Sequence, residues 1–283
     1  ASYAFNKSHA AAYGVVAVRT GWLKRHYPVQ FFAALLNSVS SDSGKVAAYS
    51  QYCRKHGIPL LPPDINQSVR KFSVGRNAQG VSGIRFGLGA IKSCGDKAID
   101  SIIAQRRKGG PYKDIFDFCQ RMDSEQVNKR VVESLILSGA MDCTGARRTQ
   151  LMAVYESALD GAAKSRRSNV VGQMSLFGDG LLEEVKPTLP DIPEYNLRTM
   201  LSLEKNVTGL YISGHPLGDY SKALSALDMN TARLTELLES PDHGLSFDGQ
   251  RVRMGGMLTE VRQKATKAGN LMGFATLEDL TGT

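Results

Sequence analysis

Helix-forming patterns, interrupted at a few glycine and proline positions, constrain the fold of this chain more than any other feature. Apolar residues at helical spacing predict helices over 9–26 and Val29–Val39. A third helix is expected from the N-cap Asp42 to Gly57, a residue that favours helix ends. The pattern is again helical from Leu88 to about Asp160. It breaks at Ser93–Gly95, Gly109–Pro111 and Gly139–Gly145. We therefore predict a mainly α, multidomain protein.

Other parts of the chain lack this pattern. Short strands are expected at Phe72–Val74 and Val81–Phe86, and a C-terminal β segment is expected beyond Ser246. The stretch Gly161–Tyr195 contains three prolines and no sustained apolar period, so we interpret it as a linker. A further helix is predicted over Arg198–Ile212.

Composition limits the class of protein. A hydrophobic content of 42% is enough for sizeable cores, and no apolar run reaches the roughly 18 residues of a membrane span. The start shows no secretory signal, and the chain opens without Met, so we expect a fragment. The cysteine usage described next leads us to expect a cytoplasmic protein. The net charge of +8 suits a polyanionic partner, although many basic proteins bind no nucleic acid.

The cysteines are scattered without a C-x-x-C pair, and each lies among apolar neighbours. We interpret them as buried, reduced thiols and not as disulfide or metal ligands. They are Cys53, Cys94, Cys119 and Cys143.

The segment Ile91–Ile99 joins a short glycine-containing turn to an amphipathic helix. A helix start exposes unpaired amide groups, and glycine lets a phosphate approach them closely. The turn resembles the DNA-binding helix-hairpin-helix, whose hairpin is Gly-hydrophobic-Gly, with Ser93 in place of the first glycine. The candidate DNA-binding residues are Lys92, Ser93, Cys94, Gly95, Lys97 and Arg106. The alternative is a structural turn without nucleic-acid contact.

A second, looser unit of this kind is expected over Val127–Leu151, around Gly139. Gly139 has an alternative interpretation as the C-cap of a helix. Such hairpins would contact the DNA backbone and not the bases. Binding would therefore be independent of base sequence, and its affinity would fall steeply as the salt concentration rises.

Within the predicted linker, two large apolar side chains lie in a glycine-bounded, otherwise polar stretch. The pentapeptide Gln173-Met174-Ser175-Leu176-Phe177 resembles the bacterial sliding-clamp-binding motif, which reads Gln, Leu, any residue, Leu, Phe. Met174 replaces the first Leu. The clamp-binding candidates are Gln173, Met174, Leu176 and Phe177. The alternative is that the apolar residues fasten the linker to this protein's own surface.

Several stretches, spread in order over nearly the whole chain, carry a family resemblance. They are Tyr3–Tyr13, Trp22–Lys24, His26–Pro28, Leu61–Asn66, Gly87–Lys92, Ser213–Leu217, Thr266–Asn270 and Leu277–Asp279. Together they closely resemble the alpha subunits of bacterial DNA polymerase III, the C-family replicative polymerases.

The resemblance implies five parts. They are the C-terminal part of the fingers over 1–75, a helix-hairpin-helix duplex-binding module over 76–170, a linker with the clamp-binding peptide over 171–195, a helical connector over 196–245, and the truncated start of an OB domain over 246–283. The implied partners are double-stranded primer–template DNA, the sliding clamp (beta subunit) and other replicase subunits, with no membrane.

Nucleotidyl transfer needs Mg²⁺ held by clustered carboxylates. The resemblance places those aspartates upstream of this chain, in the palm, and no Asp-x-Asp occurs here. We expect no catalytic or metal-binding residue in this chain, and Mg²⁺ only in the full-length polymerase. By the same resemblance, Lys7 and His9 are candidates for approaching the nucleotide phosphates; alternatively they cap and orient the first helix.

The prediction is thus a non-catalytic portion of a DNA-directed DNA polymerase, which grips duplex DNA and tethers the enzyme to the clamp. One alternative is a stand-alone helix-hairpin-helix repair factor, which would need neither the fingers-like start nor the OB-like end. The other is an error-prone paralogue of the same family, which the docking peptide disfavours.

Overall fold

A computed structural model describes residues 7–123, 125–170, 188–239, 249–266, 269 and 271–283. Within these ranges the helices are α1 (Lys7–His26), α2 (Pro28–Ser38), α3 (Ser43–Lys55), α4 (Asp96–Gly109), α5 (Ile115–Arg121), α6 (Lys129–Leu137), α7 (Arg148–Val170), α8 (Leu197–Thr208), α9 (Ser221–Ser225) and α10 (Thr231–Glu239). The strands are β1 (Leu60–Leu61), β2 (Ser73–Arg76), β3 (Ser82–Arg85), β4 (Met257–Ala265) and β5 (Leu271–Glu278). The predicted mainly α class is confirmed.

The chain divides into two compact units, Ala1–Ile212 and Ser213–Thr283. The division falls inside the predicted connector over 196–245. The five predicted domain ranges stay predictions, because compactness alone does not identify fingers, linker or OB domain.

The three N-terminal helices form where local signals place them, which confirms the sequence prediction. Pro28 starts α2, where its missing amide hydrogen would have no helical partner anyway. The Asp42 Oδ1 atom accepts a hydrogen bond from the amide of Lys45 at 3.0 Å and caps α3.

A small sheet with the strand order β1-β3-β2 follows these helices. Ile84 of the central strand β3 lies opposite Val74 of antiparallel β2 and opposite Leu60 of parallel β1. Ile84 is fully buried, so the sheet joins the core of the first unit. Both predicted strands are confirmed.

Helix α7 extends further than the sequence predicts. The predicted linker starts at Gly161, whereas α7 runs to Val170. Leu159 and Ala162 are buried on either side of that glycine, on a helix that packs against α5 and α6. This packing outweighs the roughly 1 kcal/mol that a glycine costs inside a helix.

Helix α8 is shorter than predicted, because it ends at Thr208 and not at Ile212. Gly209 adopts a φ of 78° and its amide donates to the carbonyl of Lys205 at 2.8 Å. A left-handed glycine of this kind is a common helix terminator.

The second unit contains the predicted C-terminal β segment as an antiparallel hairpin of β4 and β5, with Val261 opposite Ala275. Asp279, just beyond β5, accepts hydrogen bonds from the amides of Thr231 at 2.7 Å and Thr281 at 2.6 Å. These bonds connect the hairpin to the start of α10. The OB fold stays a prediction.

Candidate nucleic-acid interface

The first hairpin consists of a 3-10 turn (Leu88–Ala90), the residues Ile91–Gly95 and helix α4. Ala98, Ile99 and Ile102 form the buried face of α4 and anchor the helix in the core. The inward orientation predicted for Ile99 and Ile102 is confirmed, and Ile103 is half-buried. The start of α4 is thereby fixed on a rigid base.

Ser93 adopts a φ of 67°, and it is the one non-glycine residue with a positive φ among those the structure describes. This left-handed conformation costs an L-residue roughly 1–2 kcal/mol and is routine only for glycine. The first hairpin therefore keeps the backbone conformation that a glycine at this position, the usual residue of the motif, would allow. Just before Ser93, the amide of Lys92 donates a hydrogen bond to the carbonyl of Val207 at 2.8 Å.

An anion could reach the start of α4 without displacing any side chain. Lys92, Ser93, Gly95 and Lys97 are all exposed. A Cβ added to Gly95 would meet no heavy atom within 4 Å, and Gly95 provides no side chain to cap the helix. Free amides at the positive end of a helix dipole, between two lysines, form a suitable environment for a phosphate.

Two of the predicted DNA-binding side chains point elsewhere. Cys94 is buried, and this burial raises the pKa of its thiol to about 12. Arg106 donates to the carbonyls of Ile65 at 2.6 Å and Ser68 at 3.0 Å, and burial lowers its pKa. Because both side chains serve internal contacts, we leave them out of the proposed interface.

The turn of the second predicted helix-hairpin-helix begins with buried residues. Gly139, with a φ of 80°, follows α6, and its amide donates to the carbonyl of Ile136, as in the C-cap interpretation. Gly139 and Ala140 are buried, and the carbonyl of Ala140 accepts the amide of Ile65 at 2.8 Å. The amides of Gly139 and Ala140 are thus both used in internal hydrogen bonds and are not available to a DNA phosphate.

Arg148 fills the space beside Gly139 and connects the turn to α8. Its Nη2 atom lies 2.7 Å from Asp142 Oδ2 and 3.0 Å from Glu204 Oε1. The Glu204 side chain is fully buried, and that of Arg148 is 4% exposed. Burial is the strongest single influence on the pKa of Arg148 and lowers it, but the hydrogen bonds and negative charges of Asp142 and Glu204 together outweigh burial, so the pKa is raised.

The start of α7 is occupied by a carboxylate from the same chain. Glu194 accepts the amides of Arg148 at 2.8 Å and Thr149 at 3.3 Å. Arg147 beside it pairs with Asp191 at 3.0 Å. The position that a phosphate would occupy at the start of α7 is therefore filled by the carboxylate of Glu194.

Of the remaining predicted site residues, the structure describes Lys7 and His9. Lys7 and His9 lie on the exposed helix α1, where His9 contacts the Tyr13 ring at 4.5 Å between centroids, and their nucleotide contact stays a prediction. Gln173, Met174, Leu176 and Phe177 lie outside the described residues. Among the residues that are described, no group of three or more His, Cys, Asp or Glu is arranged to hold a metal ion.

The prediction of four buried thiols is correct for three of them. Cys143 is exposed, because it lies on the 3-10 turn Asp142–Thr144 at the surface. Its Sγ atom is 3.5 Å from Asn66 Nδ2.

Arg70 is a basic residue at the hairpin that the sequence analysis does not identify. Its guanidinium pairs with Asp96 at 2.8 Å and with Asp100 at 2.6 Å, both on α4. No local signal marks it, because its partners lie some 30 residues later in the chain.

The chain is similar to known proteins, in part of its length to one family profile and along its whole length to several proteins. A family profile described as a helix-hairpin-helix motif matches residues 57–151. Three proteins named DNA polymerase III subunit alpha are similar to the chain along its whole length: 38% identical in Vibrio cholerae, 40% in Mycobacterium leprae and 35% in Escherichia coli. The chain covers 24%, 23% and 24% of these relatives, so it spans about a quarter of their length. None of the described helices is long and apolar enough to span a membrane.

Proposed function

Because the whole chain is similar to a segment of DNA polymerase III subunit alpha, we propose that it serves as a non-catalytic part of a replicative polymerase that holds duplex DNA. In the proposed arrangement the first hairpin grips the backbone of the primer–template duplex. The linker peptide tethers the polymerase to its sliding clamp. The bond-forming chemistry of the full-length polymerase, with its Mg²⁺, lies outside this chain.

The observation that carries the proposal is the exposed start of α4. Gly95 leaves it open, Lys92 and Lys97 flank it, and Ser93 holds the turn in the shape that presents the amides. Backbone amides and lysines contact phosphates, which are identical at every base pair. The grip therefore suits an enzyme that must hold any sequence.

Charge reversal tests the grip. We expect the variant Lys92→Glu/Lys97→Glu to bind a mixed-sequence duplex more weakly in fluorescence anisotropy. The slope of log affinity against log salt should become shallower by about two, since each lost phosphate contact removes about one.

The matched control is Lys55→Glu/Lys222→Glu, which changes the net charge equally at two exposed lysines outside the hairpin. An unaltered salt slope in the hairpin variant, or an equal loss in the control, would show that this hairpin does not hold DNA.

The clamp tether is supported by the motif at Gln173–Phe177. A short peptide of modest affinity keeps a polymerase beside its primer end by raising the local concentration after each release. We expect the chain to bind a bacterial sliding clamp with a Kd in roughly the micromolar range. Gln173→Ala/Phe177→Ala should abolish this binding in surface plasmon resonance.

The control for the tether is Leu181→Ala/Leu182→Ala, an apolar pair nearby but outside the motif. Clamp binding that survives in the motif variant, or is lost equally in the control, would refute the docking assignment. Neither result would affect the duplex measurements, so the two halves of the proposal are tested separately.

A further inference from the structure

The backbone at Arg70 is held against the turn that leads into the first hairpin. The amide of Gly89 donates to the carbonyl of Arg70 at 2.9 Å. A Cβ added to Gly87 would lie 2.6 Å from the same oxygen, and one added to Gly89 would lie 2.9 Å from it. Both glycines are therefore required for this approach.

The guanidinium of Arg70 bridges two carboxylates on α4. Nη1 is 2.8 Å from Asp96 Oδ1, and Nη2 is 2.6 Å from Asp100 Oδ1. The hydrogen bond to Asp100 raises the pKa of Arg70, so the group stays charged. With Arg70 in place, the three side chains carry one net negative charge instead of two.

The position of the two carboxylates matters for an approaching anion. Asp96 is the first residue of α4, where it suits the helix dipole but adjoins the amides that would receive a phosphate. Asp100 lies about 6 Å further along the helix axis. Along the axis, Asp96 and Asp100 lie about 1.5 Å and about 7.5 Å from Gly95, distances no greater than the Debye length of about 8 Å at physiological salt, so unpaired they would repel a phosphate there.

We propose that Arg70 is a positioning residue for duplex binding, which offsets one of the two negative charges of Asp96 and Asp100 so that a DNA phosphate can approach the start of α4. This inference rests on the proposed function of the first hairpin. Arg70 acts on the phosphate through the two carboxylates, so its importance depends on their charge.

A mutant cycle on the full 283-residue chain tests this dependence. Duplex affinity is measured by anisotropy for the unmodified chain, Arg70→Ala, Asp96→Asn/Asp100→Asn and the triple variant. We expect Arg70→Ala to weaken binding about fivefold, the effect of one additional net negative charge about 7 Å from the phosphate, with a dielectric constant between those of bulk water and of a protein surface. In the Asp96→Asn/Asp100→Asn background, the same change should alter binding by less than about twofold.

The control is Lys55→Ala, which removes one exposed positive charge from α3 and should have little effect. If Arg70→Ala does not fold, as judged by circular dichroism, Arg70→Gln is taken through the same cycle. A fivefold loss that persists without the carboxylates would mean that Arg70 contacts DNA itself, which overturns the proposal.

Two different outcomes separate the role of Arg70 from DNA binding by the hairpin itself. If Arg70→Ala binds like the unmodified chain while Lys92→Glu/Lys97→Glu loses binding, the hairpin holds DNA and needs no charge neutralisation. If neither variant loses affinity, the hairpin is not the binding site, and the role of Arg70 falls with it.

Discussion

Replacing Gly139 with alanine should destabilise the first unit far more than the same change at Gly145. Both glycines have nearly the same left-handed conformation, with φ of 80° and 79°. A Cβ at position 145 would meet nothing within 4 Å. A Cβ at position 139 would lie 2.9 Å from Arg148 Cζ and 3.0 Å from Asp142 Oδ2, nearer than side chains tolerate.

The expected loss of stability has two contributions, the cost of a left-handed alanine and the cost of displacing the Arg148 side chain. For both variants, the left-handed alanine costs about 1–2 kcal/mol, partly offset by about 0.5–1 kcal/mol because alanine loses less backbone freedom on folding. At position 139 the guanidinium of Arg148 must also move, which leaves the fully buried Glu204 without that partner. Breaking a buried pair of this kind costs about 3–5 kcal/mol.

We therefore expect Gly145→Ala to lower the free energy of unfolding by about 1 kcal/mol and Gly139→Ala to lower it by about 4 kcal/mol or more. Urea denaturation followed by circular dichroism at a helix-sensitive wavelength measures both. Equal losses, within about 0.5 kcal/mol, would refute the reasoning, because the φ penalty alone would then explain both variants.

Three further results are expected. Ser93→Gly should raise the free energy of unfolding by about 0.5–1 kcal/mol, because glycine adopts the left-handed conformation without strain. Ser93→Ala should leave the free energy of unfolding unchanged; thermal melts of both variants measure the difference. Glu194→Ala should lower the free energy of unfolding by about 1 kcal/mol, because it removes the cap of α7. Asp191→Ala, which removes only an exposed ion pair, should lower it by less than about 0.5 kcal/mol; urea denaturation measures both. Burial of Asp279 opposes its ionisation, but hydrogen bonds from Thr231 and Thr281 prevail and lower its pKa from the usual 3.8. The stabilisation from this carboxylate is therefore present above that usual value and is lost as pH falls through the lower folded pKa. Acid titration by circular dichroism should show this loss, and Asp279→Asn should remove it.

Signals within a few residues of one another determined much of the helical architecture. Asp42 caps α3 through an amide three residues away, and Pro28 suits the first turn of the helix it begins. The amphipathic pattern after Gly95 likewise placed Ile99 and Ile102 in the core. Such predictions succeed because capping and helical periodicity act over one or two turns of chain.

The tertiary structure decided which parts of the two predicted hairpins are available to a partner. Both contain a turn with glycine followed by a helix, and the sequence does not show that Glu194 fills the start of α7 from 46 residues away. Nor does it show that Arg70 pairs with Asp100 beside the start of α4, or that the guanidinium of Arg106 donates its hydrogen bonds to backbone carbonyls. These outcomes depend on which distant segments pack together, and local patterns carry no information about such contacts. The sequence by itself therefore determined that a glycine turn opens α4, and the tertiary structure decided that this helix start, unlike that of α7, stays open to a phosphate.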